Sequence, residues 1–246
     1  MGIMGIVMTD YNENEKLITT WQLLNILQVC DSAFPIGSFN HSYGMETYLR
    51  ENIICDAHTF NRWLTMFFEN QYLYNEGLAI KLVYELLEKN EKNEIWNIDK
   101  FLTVQNVSME SREGAKLIAY RKLDVVLELF EVELLREYKE RIEKNQSYGN
   151  PAVVFAILMY YLNVKKDVAI VSYGYSVSST LVQSAVRAIP LGQKDGQRAL
   201  QNSLSILESV REEISKLSVE DLGYNIPGFE ISQMNHEILT FRLFMS

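Results

Sequence analysis

Residues 149–162 read Gly149-Asn150-Pro151-Ala152-Val153-Val154-Phe155-Ala156-Ile157-Leu158-Met159-Tyr160-Tyr161-Leu162. The first three form a helix N-terminus in full. A glycine breaks the preceding element, an asparagine caps free amides, and a proline takes the first helical position, where its missing N–H costs nothing. The run from Ala152 to Leu162 is the longest apolar stretch of the chain. It falls well short of the roughly 20 residues that a membrane-spanning helix needs. It reads as one helix of a soluble protein.

The same reading extends outward. Only 4 Pro and 12 Gly punctuate 246 residues, which favours long helices, because every strand junction needs its own turn residues. Residues 131–144 carry charges three and four apart, as on an exposed helix, and 98–130 read as one or two helices. Asp56 is placed to cap a periodic stretch through Phe60, Leu64, Phe67, Phe68 and Tyr72 that runs on to Leu87. The charged run 88–94 reads as a solvated hinge. Trp21, Leu24 and Leu27 fall on or near one face of a helix, which ends by Phe34 because Pro35 disfavours helical geometry in the residue before it. Gly37 and Ser38 offer a turn and a cap for a helix over 39–50. Two more helices, 168–189 and 195–217, are parted by Pro190-Leu191-Gly192. No strand-like alternation recurs. The fold class is all-α, a single-domain bundle of roughly eight to ten helices.

Residues 1–17 read as a flexible leader, 18–222 as the helical bundle and 223–246 as a C-terminal partner-binding tail. The stretch 223–228, with its two Gly, an Asn and a Pro, is expected to detach that tail and leave it loosely ordered until a partner covers it.

With 48% hydrophobic and 22% charged residues, the chain has ample material for a core. Its 23 Lys+Arg against 32 Asp+Glu give a net charge of −9, which repels phosphate backbones and anionic lipids. Nucleic acid and membrane are therefore poor partners. Two cysteines, Cys30 and Cys55, make no disulfide framework, and no secretion signal opens the sequence. The expected location is cytoplasmic.

A search for chemistry returns mostly negatives. There is no phosphate-cradling Gly-x-x-x-x-Gly-Lys-Ser/Thr loop, and Gly192-Gln-Lys-Asp-Gly196 has the wrong spacing. GTP hydrolysis by this chain alone is not expected. His41, His58 and His236 lack the glutamate three residues earlier that di-iron bundles use. His236-Glu237 begins like a zinc-protease motif, but Thr240 stands where the second histidine belongs. Cys55 and His58 are two ligands, too few to close a zinc site. The cluster Trp63, Phe67, Phe68, Tyr72 and Tyr74 has the spacing of a helical core. No catalytic residue, resident metal or cofactor emerges.

Two segments resist the reading as plain connections. Asp31-Ser-Ala-Phe-Pro-Ile-Gly-Ser-Phe-Asn-His-Ser-Tyr-Gly-Met-Glu46 gathers Pro, two Gly, Asp and His between helices that need only a few linking residues. Arg187-Ala-Ile-Pro-Leu-Gly-Gln-Lys-Asp-Gly-Gln-Arg198 sets three cations among glycines in an acidic chain. Unpaired cations are costly in a core, so the second segment is expected to face a partner, with internal pairing of Arg187 as the alternative.

At these residues the sequence resembles the UreF family of urease accessory proteins. The first segment is similar to that family's Asp-Ser-Ala-Phe-Pro-x-Gly-x-Phe-x-His-Ser-x-Gly pattern, and the second to its Ala-Val-Arg-x-x-Pro-Leu-Gly-Gln block. Met234-Asn-His-Glu-Ile-Leu-Thr-Phe-Arg-Leu-Phe-Met-Ser246 resembles its terminus. Weaker echoes stand at Glu110-Ser-Arg112 and Asn150-Pro151-Ala152. The resemblance implies a homodimer that assembles with a UreD/UreH-like accessory protein and a UreG-like GTPase. That assembly would deliver nickel into apo-urease and couple GTP hydrolysis to the transfer, with nickel handled only transiently by this chain. The residues marked for partner binding are Arg187, Gln193, Lys194, Arg198, His236, Glu237, Arg242 and Phe244. Asp31, Pro35, Gly37, His41, Ser42 and Glu46 are marked as a structural motif. The rival reading, a helical metal-dependent oxidoreductase, needs several His and Glu ligands at helical spacing, which the chain lacks.

Overall fold

The computed structural model describes residues 18–245, so the leader read over 1–17 lies outside the described residues. Its helices are α1 (Thr20–Cys30), α2 (Met45–Arg50), α3 (Ala57–Met66), a π-helical segment (Phe67–Gly77), α4 (Leu78–Glu88), α5 (Lys92–Val104), α6 (Met109–Leu129), α7 (Glu133–Glu143), α8 (Pro151–Tyr161), α9 (Lys166–Ala188), α10 (Gln193–Lys216) and α11 (Pro227–His236). Because α3, the π segment and α4 run on as one rod, the described residues form ten rods and no strand. The architecture is all-α.

α8 lies at the centre. The Asn150 side chain accepts the N–H groups of Ala152 at 2.9 Å and Val153 at 3.4 Å, and Pro151 occupies the first helical position. Every residue from Pro151 to Met159 is buried, with α4, α5, α6, α7 and α9 packed around them. A buried carboxylate fixes the approach to this helix. Asp99 of α5 accepts the Tyr138 hydroxyl at 2.5 Å and the N–H groups of Tyr148 and Gly149 at 2.8 and 3.1 Å. Burial raises the Asp99 pKa despite these hydrogen bonds. The Tyr138 hydroxyl in turn accepts the Asn150 N–H at 2.9 Å, tying α5, α7 and the start of α8 into one corner.

α9 and α10 pair along their length. At their crossing a Cβ on Gly174 would lie 2.4 Å from Leu207 Cδ2, so the absence of a side chain is what admits Leu207. One turn further, the Ser178 hydroxyl donates to Ser203 across the seam at 2.7 Å.

Asp56 caps α3 with Thr59, as its position implies. Three other segments depart from the sequence reading. The helix expected over 39–50 is interrupted because Tyr43 and Gly44 take left-handed conformations, φ 54° and 81°, so a 3-10 turn at Ser38–Asn40 precedes an α2 that begins only at Met45. The solvated hinge shrinks to 89–91, since α4 persists to Glu88 and α5 starts at Lys92. The apolar stripe of α1, whose direction the periodicity leaves open, faces outward, with Trp21 69%, Leu24 53% and Leu27 57% exposed, while Asn25, Ile26 and Val29 face the body.

The third departure is the C-terminal segment, which is packed rather than detached. The Gly223 N–H donates to the Tyr74 carbonyl at 2.8 Å, and Asn225 accepts the Asn75 side-chain amide at 2.6 Å. Phe229 of α11 is buried with its ring centroid 6.0 Å from Trp63 and 6.1 Å from Phe67. The turn residues bend the chain, and aromatic burial holds α11 against the body.

Candidate functional site

The first unusual segment leaves α1 through an Asp31 turn, in which the carboxylate accepts the Ala33 N–H at 2.7 Å, and Pro35 comes next. Gly37, at φ 76°, lies against Arg121, where a Cβ would meet Nη1 at 2.6 Å. His41 is buried, its pKa lowered by burial and by the nearby charges of Arg121 and His236. Ser42 is fully buried and its Oγ accepts the Glu46 N–H at 3.4 Å, steering Glu46 into the interior. Gly44 touches α11, where a Cβ would meet Ser232 Oγ at 2.4 Å, and Thr47 beside it donates to the Ser232 carbonyl at 2.7 Å.

Glu46 is the centre of a polar hub joining α2 and α6 to the C-terminal segment. Its carboxylate accepts the backbone N–H groups of Leu243 at 2.8 Å and Phe244 at 3.0 Å, and Arg50 pairs with it at 3.0 Å. His236, wholly buried, lies with Nε2 3.2 Å from Glu46 and Nδ1 2.8 Å from Glu110. Arg242 closes the chain of charges on the other oxygen of Glu110. Glu237, next to His236, accepts the Met109 N–H at 2.7 Å and the Ser108 hydroxyl at 3.0 Å, placing an anion at the positive N-terminus of α6.

Arg187, in the last turn of α9, joins this hub. It donates to the Phe39 carbonyl at 2.7 Å and to Ser184 Oγ at 3.2 Å, and its guanidinium lies 5.3 Å from the Phe244 ring centroid. Arg187 thus has internal contacts, while the residue itself remains exposed at the surface. Gln193, Lys194 and Arg198 do not join; they stand exposed on the first turns of α10, with Arg198 paired to Asp195 at 2.8 Å. The residue that the sequence reading left out is Glu110, marked only by the weak Glu110-Ser-Arg112 echo.

Burial alone would raise the carboxyls of Glu46 and Glu110, but the hydrogen bonds from Leu243, Phe244, His236 and Arg50 on the first, and from His236 and Arg242 on the second, hold both below the ordinary glutamate range. A depressed native carboxyl contributes stability above its unfolded pKa, about 4.3 for glutamate, and loses it as pH falls through the native value. The melting-temperature gap between the wild type and Glu46→Gln should therefore shrink as pH is lowered below about 4. A gap that stays constant to about pH 3 would speak against this charge arrangement.

A separate polar chamber of about 80 Å³ is lined by His41, Gln71, Glu76, Gln105, Ser111 and neighbours. Four side-chain oxygens there, Gln71 Oε1, Glu76 Oε2, Gln105 Oε1 and Ser111 Oγ, are buried without a hydrogen-bond partner, and burial raises the Glu76 carboxyl to about 7. These oxygens are hard-cation ligands in type. Among the described residues no three His, Cys, Asp or Glu side chains are grouped to hold a metal ion.

The family model described as UreF matches residues 54–204. The chain is 46% identical over 223 residues to the urease accessory protein UreF of Streptococcus salivarius (strain 57.I), covering 91% of this chain and 94% of that protein. It is 44% identical over 225 residues to the protein of the same name from Bacillus sp. (strain TB-90), covering 92% and 99%. The counterpart in Lachnoclostridium phytofermentans is 42% identical over 224 residues, covering 91% and 98%. With a family match over more than half its length and relatives of this identity over nearly all of it, the chain belongs to the UreF family of urease accessory proteins.

Proposed function

We propose that this chain acts as a scaffold in the cytoplasm. It assembles with a UreD/UreH-like accessory protein, a UreG-like GTPase and apo-urease so that nickel enters apo-urease as GTP is hydrolysed by the GTPase. It pairs with a second copy of itself and does no chemistry of its own. The observation that carries this reading is the exposure of large apolar side chains in two places. On α1 these are Trp21, Leu23, Leu24 and Leu27; beyond α11 they are Ile238, Phe241, Leu243 and Met245. Exposed apolar groups gathered in this way mark surfaces that partners cover.

Within this proposal Gln193, Lys194 and Arg198 contact a partner directly, as do the residues after Glu237. Arg187, His236, Glu237, Arg242 and Phe244 hold that second surface in place. Nickel is cargo, and the oxygen-lined chamber offers it weak, transient ligands. A helical metal-dependent oxidoreductase draws no support from the described side chains.

The test is co-purification with the accessory protein and the GTPase. Leu24→Asp with Leu27→Asp should cost at least about tenfold in affinity for one binding partner or for the second copy, and Phe241→Asp the same for another, or about 1.4 kcal/mol each. Both variants should keep wild-type helicity, since the altered side chains face solvent. Undiminished assembly of both would sink the assignment.

A further inference from the structure

Lys122, in the middle of α6, is 3% exposed and serves none of the contacts described above. Its amine lies 5.2 Å from the Phe155 ring centroid and 5.1 Å from that of Tyr173. Among the described residues no carboxylate reaches it within ion-pair distance and no oxygen accepts a hydrogen bond from it. It lines a cavity of about 40 Å³ where the end of α1, the Ser38–Asn40 turn, α6 and α9 meet.

The other walls do not neutralise the amine. The Cys30 thiol donates weakly to the Ser172 carbonyl at 3.5 Å, and burial pushes its pKa up to about 11, so it remains a thiol. Burial likewise keeps the phenols of Tyr43 and Tyr173 protonated. Lys122 is lowered by burial only to about 8, which leaves it mostly an ammonium at neutral pH. Asp31 lies at the exposed mouth, its carboxylate engaged by the Ala33 N–H. The hydroxyls of Ser176 and Thr180 donate to helix carbonyls, whereas those of Ser32, Ser38 and Ser179 make no hydrogen bond to another described residue.

A buried ammonium in a cavity that also presents uncommitted hydroxyls, with no carboxylate within ion-pair distance, calls for an anion. A water-sized guest needs about 10–15 Å³ of such space, so a cavity of about 40 Å³ admits a monatomic anion or one of three to four heavy atoms. We propose that this cavity binds a small monovalent anion between the Lys122 ammonium and the hydroxyls of Ser32, Ser38 and Ser179. The bound anion ties residues 31–38 to α6 and α9, next to the stretch whose Phe39 carbonyl anchors Arg187.

The test is a set of thermal melts of the full chain at constant ionic strength, with sodium gluconate replaced stepwise by sodium chloride, bromide, formate or bicarbonate. At a hundredfold excess over Kd, a ligand specific to the native state should raise Tm by about 5 °C or more. The relative response of the four anions distinguishes halide from carboxylate or bicarbonate as the guest. Lys122→Met should abolish the response; a flat response in the wild type, or one undiminished in Lys122→Met, overturns the proposal. Should that variant fail to fold, anomalous diffraction from wild-type crystals in sodium bromide decides. A peak within about 3.5 Å of Lys122 Nζ supports the site, and its absence overturns it.

Discussion

Replacing Glu46 with alanine is expected to cost about 3–5 kcal/mol of folding stability, the range for removing one member of a buried ion pair. The size reflects how much the carboxylate holds. It accepts two backbone N–H groups from the C-terminal segment, faces the buried His236, and pairs with Arg50 from one helical turn away. Alanine leaves His236 facing Glu110 alone and strips Leu243 and Phe244 of their anchor. For a domain of this size, each kcal/mol moves Tm by about 2–4 °C, so a drop of about 6–20 °C should appear in thermal melts. Carboxypeptidase should at the same time shorten the variant faster than the wild type. A Tm within about 2 °C of wild type would show that the hub is not what secures the C-terminus.

Ending the chain at Gly228 is expected to be more damaging still. It removes Phe229 from between Trp63, Phe67 and Tyr48, and loss of one such buried ring alone costs about 3–5 kcal/mol. It also takes away His236, leaving Glu46 buried with only Arg50, and it removes the Glu237 carboxylate from the N-terminus of α6. The truncated protein should precipitate or melt below about 37 °C, given the marginal stability of ordinary domains. Ending the chain at Glu237 instead spares Phe229 and His236. That shorter truncation should stay folded, with a lower Tm, and lose partner binding. If the longer truncation is soluble with an unchanged melting curve, α11 is not part of the body.

The contrast between these truncations shows where the sequence was informative. The start of α8 was legible because Asn150 and Pro151 act on amides two or three residues away, and the Asp56 cap was legible for the same reason. The union of Glu46 with His236 spans 190 positions, and nothing local to either residue announces the other. Glu46 lay in a segment singled out for its composition and His236 in one singled out for its resemblance to a family terminus, so the parts were visible while their meeting was not. Glu110, the third member, sits in an ordinary charged stretch. α1 illustrates a different limit. Periodicity placed Trp21, Leu24 and Leu27 on one face, but an apolar stripe looks the same whether it faces a core or a partner. The left-handed Tyr43 that splits the expected helix carries no signal beyond the glycine beside it.

The enclosure of α8 from Pro151 to Met159 also bears on how this sequence can drift. A helix with a solvent face can exchange residues there one at a time, since polar groups are tolerated on that side. From Pro151 to Met159 no such side exists. A polar newcomer would be stranded without partners, and a larger residue at Ala152 or Ala156 would collide with a neighbouring helix. Change along this stretch must therefore be matched on α4, α5, α6, α7, α9 or the π-helical segment, so the central helix and these neighbours form a set that varies jointly or hardly at all.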